Sequence, residues 1–465
     1  MPAPLDLPPG WSHLRIDQIA QVQAGSGSVR PPGPGIALHA QLTSANVSWA
    51  GLDLRMLAET WLTRHQATRH RLAPGDIVMT GKSGSPHLVG RSALWSGEVE
   101  GCCLNGSLIR VRPGRGVHPG YLHRVLYYDA LCGAFAGQLK GNSRLKHLDT
   151  GTVRAWRVPV PPLPVQQRIS AAVEGMLADI NAGEALQAAT RSDLRMLWDS
   201  VLDAVADGTL DNRPPESASH HRIHEVASVV GGVQAPRTVE DGVRHTYLRV
   251  ANIAPETVDL DQVKHLTIPR ERVCFLQHHL LQKDDLVVVR QNGSPDRLGQ
   301  AALWHGQLPD ILIQNHLARI RPYGIDSRYL ELVWNAPSTL RPLRPLATST
   351  TGSRTLRLDD IRAVRVRVPS AAAQAELVRA ADRWKGHVDA VGALLDNASR
   401  AAAALRLSVL ARAFSGRLAP GGTAADGDGQ LCTVSTPGVT RPRPVAGHAS
   451  GVSADALYEQ QEFDF

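Results

Sequence analysis

The sequence repeats itself, and no other feature limits its possible folds as strongly. PGDIVMTGKSGSPHLVGRSALW at 74–95 aligns without a gap on KDDLVVVRQNGSPDRLGQAALW at 283–304. Upstream, IDQIAQVQAG at 16–25 matches IHEVASVVGG at 223–232. LIRVRP at 108–113 matches LARIRP at 317–322, and SVLDAVADGTL at 200–210 matches SVLARAFSGRL at 408–418. All four pairs lie 207 to 209 residues apart. A constant offset over several segments marks a tandem duplication, here of a unit of roughly two hundred residues. At 465 residues the chain also exceeds one ordinary core, so length alone predicts two or more domains.

Each unit has two parts with different periodicity. The first holds short apolar runs bounded by Gly, Pro, Asn and Ser; DIVMT at 76–80 and DLVVV at 285–289 read as buried strands. The second part reads as one long helix. In unit one it opens after the prolines of 159–164, because a proline at a helix start gives up an N–H that has no partner there anyway. Its apolar stripe is Ile169, Val173, Leu177, Ile180, Leu194, Leu197, Val201 and Val205. The second copy gives Leu377, Trp384, Val388, Val391, Leu395, Leu405, Val409 and Ala413. Gly208 and Gly416 are placed to stop the two helices.

About 45 residues at 1.5 Å each make a rod of roughly 65 Å. Such a helix cannot bury its stripe alone. Two copies in one chain bury theirs against each other as an antiparallel coiled coil, or else each packs on its own globular part. The expected fold class is therefore α+β: two tandem globular domains separated and followed by long helices, with pseudo-twofold symmetry. The stretch DNRPPESAS at 211–219 reads as a linker, and His220, His221 and His224 also read as lying in a linker, solvated rather than metal ligands. From Pro420 onward Gly, Pro, Ser and Thr dominate, which predicts a disordered tail.

The order globular part, long helix, globular part, long helix resembles the specificity subunits of type I restriction–modification systems, over about residues 5–418. Leu7-Pro8-Pro9-Gly10-Trp11 looks like the L-P-x-G-W start of that family. PPLPVQQRI at 161–169 looks like its P-P-L-x-E-Q-x-x-I helix junction, and the two helix endings look like its S-I-L-x-x-A-F-x-G-x-L signature. The second junction, VPSAAAQAEL at 368–377, departs by losing P-P-L. The resemblance implies target-recognition domains at 1–161 and 211–369, spacer helices at 162–210 and 370–418, and a tail at 419–465. It further implies double-stranded DNA as ligand, with two methyltransferase (modification) subunits and restriction/translocase subunits as partners. S-adenosylmethionine, ATP and Mg would be bound by those partners, this chain being non-catalytic and cytoplasmic.

A formal charge of +7 and a pI near 9.4 favour a polyanionic partner. Base edges are read by Arg, Asn, Gln, Ser and Thr, and phosphates are held by Arg and Lys. Two loops per unit carry that chemistry. After the DIVMT and DLVVV strands come Lys82, Ser83, Ser85 and Arg91, and Arg290, Gln291, Asn292, Ser294 and Arg297. Before the helix junctions come Lys140, Asn142, Ser143, Arg144 and Lys146, and Thr348, Ser349, Thr350, Ser353, Arg354 and Arg357. Two readers on a rod meet DNA at a fixed separation of about one helical turn, roughly 34 Å, so the expected site is bipartite. Because the units differ outside their shared framework, the site should also be asymmetric.

Other classes find little support. TGKSG at 80–84 lacks the glycine spacing of a P-loop, and its repeat partner VRQNG has no lysine. No G-x-G-x-x-G follows a strand, and the N-P-P-Y/F motif of amino-methyltransferases is missing. Ser143-x-x-Lys146 has a penicillin-recognising spacing without its companion motifs. Cys102, Cys103, Cys132, Cys274 and Cys432 have no C-x-x-C spacing, which fits a reducing compartment rather than a disulfide framework or a zinc site. No apolar run is long enough to span a membrane, and the first ten residues lack a secretory pattern. The alternatives left are a coiled-coil scaffold with protein-binding domains, a related non-type-I specificity subunit, or a self-contained restriction enzyme.

Overall fold

The computed structural model describes residues 7–27, 33–141, 146–212, 217–235, 241–350 and 352–418. It has mixed helix and sheet, in two compact units: Met1–Glu184 with Arg400–Phe465, and Ala185–Ser399. Both divisions fall inside long helices, so each unit takes a stretch of each helix. The expected tail at 419–465 lies outside the described residues.

Unit 1 is built on a four-stranded antiparallel sheet of β1 (Ala20–Ala24), β2 (Ile77–Thr80), β3 (Ser92–Leu94) and β4 (Leu108–Pro113), in the order β1-β4-β2-β3. Unit 2 repeats it with β5 (Ala227–Gly231), β6 (Leu286–Val289), β7 (Ala301–Leu303) and β8 (Leu317–Pro322), in the order β5-β8-β6-β7. The central strand β6 is apolar at every position and β2 at all but its last, the buried Thr80, because both sheet faces are covered. Side chains alternate across a strand. Ile77 and Met79 therefore join one core and Val78 another, while Leu286 and Val288 part from Val287 and Val289.

A second sheet in each unit mixes directions. Ile36–Leu42 pairs antiparallel with Ala58–Thr63 and parallel with Cys103–Leu104. Its counterpart Val243–Leu248 pairs antiparallel with Lys264–Ile268 and parallel with Ile311–Ile313. One buried carboxylate anchors each framework. Asp76, 1% exposed, takes both N–H groups of Arg112 at 2.6 and 2.7 Å and the Ala73 N–H at 2.8 Å. Asp285, fully buried, takes Arg321 at 2.7 and 2.8 Å and the Gln282 N–H at 2.7 Å. A buried charge persists when it is paired and its lone pairs are filled, as here.

The long helices are Leu163–Asp207 and Ala371–Phe414. Each start is fixed by a buried glutamine. Gln166 accepts the His118 N–H at 2.8 Å and donates to Pro161 O at 2.8 Å. Gln374 accepts the Asp326 N–H at 2.8 Å and donates to Pro369 O at 2.9 Å. The second junction thus keeps its polar lock although it has lost P-P-L. Both helices end on the expected glycines, at positive φ (74° for Gly208, 71° for Gly416). The following N–H groups, of Thr209 and Arg417, reach back to Ala204 O and Arg412 O at 2.8 and 2.9 Å, as in a Schellman turn. A Cβ on Gly208 would lie 2.1 Å from the Arg367 guanidinium.

The apolar stripes are buried unevenly. In unit 1, Ile169, Val173, Leu177 and Ile180 share a core with Val409, Leu410, Ala413 and Phe414. In unit 2, Val201, Leu202 and Val205 share one with Leu377, Ala380 and Ala381. Between these stretches Leu197, Val391 and Leu405 are 40, 38 and 53% exposed, contrary to a stripe buried throughout. A second correction concerns His220 and His221, which form a strand, Ser219–Arg222, paired with Arg365–Val368 rather than a linker. His224 follows in a short helix, with its ring nitrogen 3.1 Å from Arg362 O.

Candidate nucleic-acid interface

In each unit the two polar loops, some sixty residues apart in sequence, join in one small sheet. In unit 1 the short strand Lys82–Ser83 pairs with Lys146–His147, and that pairs with Lys140–Gly141. In unit 2 Gln291–Asn292 pairs with Ser353–Thr355, which pairs with Thr348–Thr350. Each sheet springs from the end of a fully buried central strand, β2 or β6. A rigid, apolar strand thereby presents short polar strands whose side chains alternate between two faces.

The individual residues fall into two groups. Lys82, Ser294, Ser349, Arg354 and Arg357 are exposed. Lys140 is 66% exposed and pairs with Asp149 at 2.5 Å. That ammonium, with the Thr152 N–H, holds the Asp149 carboxyl down at about 2. Lys146 is half-buried and reaches Gly141 O at 3.4 Å. Ser83 accepts the Ser85 N–H at 3.1 Å, and Asn292 accepts the Ser294 N–H at 2.8 Å, so both shape their turns. Gln291 donates to Ser353 Oγ at 3.3 Å across the strand pair. Thr350 closes its strand. Arg357 is tied to Asp360 by three hydrogen bonds of 3.1 Å at the start of helix Leu358–Ala363.

Three arginines point inward. Arg91 is 8% exposed. Arg290 donates to Leu356 O at 3.2 Å and Asn315 O at 3.0 Å, and burial pulls its guanidinium below the ordinary arginine range. Arg297 donates to Ile253 O at 2.7 Å. Backbone carbonyls hold Arg290 and Arg297, which tie their loops to the framework. Asn142, Ser143 and Arg144 lie outside the described residues.

One feature escaped the sequence reading. Directly after the second-sheet strand each unit has a short basic helix, Arg64–His70 and Arg270–Leu276. Arg64, Arg69, Arg270 and Arg272 on them are exposed. The signal was present at Thr63, whose Oγ accepts the Gln66 N–H at 3.2 Å while Gln66 accepts the Thr63 N–H at 3.0 Å. That is a capping box, readable as T-x-x-Q. Chemically, the surfaces offer guanidinium and ammonium groups for phosphates and amide and hydroxyl groups for base edges. Among the described residues no three His, Cys, Asp or Glu side chains gather as a metal-ligand set, and no helix is long and apolar enough to cross a membrane.

No family model matches the chain. Over 365 residues it is 25% identical to the type I restriction enzyme EcoKI specificity subunit of Escherichia coli strain K12, covering 75% of this chain and 76% of that one. It is 24% identical over 359 residues to the StySPI specificity subunit of Salmonella potsdam, with the same 75 and 76% coverage. In fold it is similar to a chain from a structure describing complex assembly and conformational transition of the type I R-M system. There the TM-score is 0.64 at 18% identity, over 89% of this chain and all of the other.

Proposed function

We infer that this chain is the specificity subunit of a type I restriction–modification system, the component that selects the DNA site. One observation carries the reading: similarity to named specificity subunits along three quarters of the chain, through both copies of its repeat. In this role each unit reads one half of a split DNA sequence, and S-adenosylmethionine, ATP and Mg chemistry belongs to partner subunits. The chain would work in the cytoplasm with methyltransferase and restriction subunits.

The reading assigns the small sheets to base and phosphate contact. Lys82 and Lys140 in unit 1, and Arg354, Ser349 and Ser294 in unit 2, are the residues best displayed for it, with the half-buried Gln291 beside them. Their chemistries differ, lysine-rich against amide- and hydroxyl-rich, so the two half-sites should differ. The long helices act as the spacer, paired as an antiparallel coiled coil. Support comes from contacts within unit 2 that run in opposite order along the two helices, and from an ion pair between them within unit 1. Glu184 meets Arg406 at 2.7 Å, Gln187 meets Ser399 at 2.7 Å, and Arg191 meets Asp396 at 2.6 Å. The apolar residues left exposed on them, among them Leu186, Met196 and Leu394, suit the modification subunits.

Mobility shift with mixed-sequence duplexes and modification subunits present tests the reading. Binding should be sequence-selective and weaken steeply as salt rises, because released counterions drive phosphate contact. Absence of salt-sensitive binding would favour a protein-binding scaffold instead.

A further inference from the structure

The two units diverge at one spot beside the long helices. In unit 2, Arg328 on helix Ser327–Asn335 is held by three carboxylates. It donates to Glu331 at 2.6 Å and Asp382 at 3.0 Å, and stands 3.5 Å from Glu256. Glu256 also accepts Trp198 Nε1 at 2.6 Å.

The corresponding place in unit 1 is fixed by shared contacts. Tyr121 and Tyr329 send their hydroxyls to Pro159 O and Arg367 O, and the glutamine locks at 166 and 374 match. In that register Gly120 stands for Arg328, His123 for Glu331 and Glu174 for Asp382. Ala50 stands for Glu256, each lying in the turn between two paired short strands. All four of these unit 1 residues line one cavity of about 330 Å³. Unit 1 thus lacks the guanidinium and keeps the room for it.

What surrounds that room suits a cation. Glu174 remains, and Glu98 lines the cavity as well, its carboxylate braced by the Ser96 and Gly97 N–H groups. Among the described lining residues the cation is Arg124, which sits 5.9 Å over the Tyr127 ring and in the field of Glu174, while Arg406 reaches Tyr127 from outside the lining. Burial pushes His123 down to about 4, so it stays uncharged near neutral pH. Ser92, 2% exposed, also lines the cavity, and its hydroxyl has no hydrogen-bond partner among the described residues. A buried hydroxyl is normally paired, so one without a partner marks the place of a missing donor or acceptor. Trp49 supplies an aromatic wall, which a guanidinium stacks against well.

We propose that this cavity accepts a guanidinium, supplied in the assembled complex by an arginine side chain of a partner polypeptide, as Arg328 fills the counterpart from within the chain. The partner's existence rests on the specificity-subunit reading; the chemistry of the cavity does not. The test is calorimetric titration of the full-length chain with N-acetyl-arginine N-methylamide and with its citrulline counterpart, which has the same shape without the charge. The arginine probe should bind saturably and the citrulline probe should not. Glu174→Gln, an exposed change, should weaken binding roughly tenfold through loss of one charge-assisted contact. Gly120→Arg, whose Cβ would meet Ser170 Oγ at 2.6 Å so that this hydroxyl must turn aside, should abolish it by filling the cavity from within, and circular dichroism should show the variant folded. Equal response to both probes, or wild-type binding by both variants, would overturn the guanidinium site. Unchanged affinity of both variants for the modification subunits would overturn the partner as its source. A failed mobility shift would instead count against DNA recognition alone, leaving the titration readable.

Discussion

Arg112 closes on Asp76 at 2.6 Å in unit 1, and Arg321 closes on Asp285 at 2.7 Å in unit 2. At the far ends of the same central strands, the small sheets share their pairing and almost none of their side chains. Lys82 faces its partner strand in one unit and Gln291 in the other. The comparison separates two kinds of residue. The aspartate–arginine anchors and the glutamine locks inside the framework are the same in both units, because losing one strands a buried charge or amide. Those at the displayed edge were free to change, which under the proposed function gives two different half-sites.

The largest effect that would break this comparison is on specificity. Replacing residues 1–161 by the same part of another family member should alter one half of the recognised DNA motif and leave the other half. Methylation mapping reads this directly, and a change in both halves would refute separable readers. Next in size are the anchors. Asp285→Ala and Asp76→Ala should each cost about 3 kcal/mol, because an arginine loses its buried partner. Hydrogen exchange should show each loss confined to its own unit, and unequal losses would mean that the two frameworks are not equivalent.

A smaller difference is set by pH. His123 is pushed down from 6.5 to about 4 by burial, and unit 2 has Glu331 in its place. The unfolded chain then binds the extra proton between pH 6.5 and about 4, so this stabilisation is present above 6.5 and lost as pH falls through that window. Asp129 works the other way. Burial raises it to about 6, so the folded state takes up its proton first and gains stability as pH falls from about 6 toward 3.8. Thermal unfolding of wild type and His123→Gln across this range isolates the histidine: the variant should lose less stability on acidification. The smallest effect belongs to a single displayed cation. Arg354→Ala should lower the slope of log affinity against log salt by about one if it holds a phosphate. Arg290→Ala should act on folding instead, since its donors are taken by Leu356 O and Asn315 O.

The mixed architecture and its long helices were legible because they rest on local patterns. The apolar runs at 77–80 and 286–289 and the stopping glycines are each readable within a few residues, and the repeat shows when the sequence is compared with itself. Pairings across long separations were not. Nothing local says that Cys103–Leu104 runs parallel to Ile36–Leu42, or that Lys82–Ser83 pairs with Lys146–His147. Nor does sequence distinguish Arg354, which faces solvent, from Arg297, whose donors reach Ile253 O. Both are arginines in polar stretches of sequence, and only the fold decides which carbonyls lie within reach. The glutamine locks were visible in principle as a pair offset by 208 residues, hidden because the motif around the second had changed.

The central claim is that one chain chooses a split DNA site through two dissimilar readers on a common frame. The most direct measurement maps methylated adenines across a host genome that carries this gene and its neighbours, with the gene present and deleted. One bipartite, asymmetric motif should vanish on deletion and return on complementation. A methylation pattern that does not change on deletion would contradict the claim.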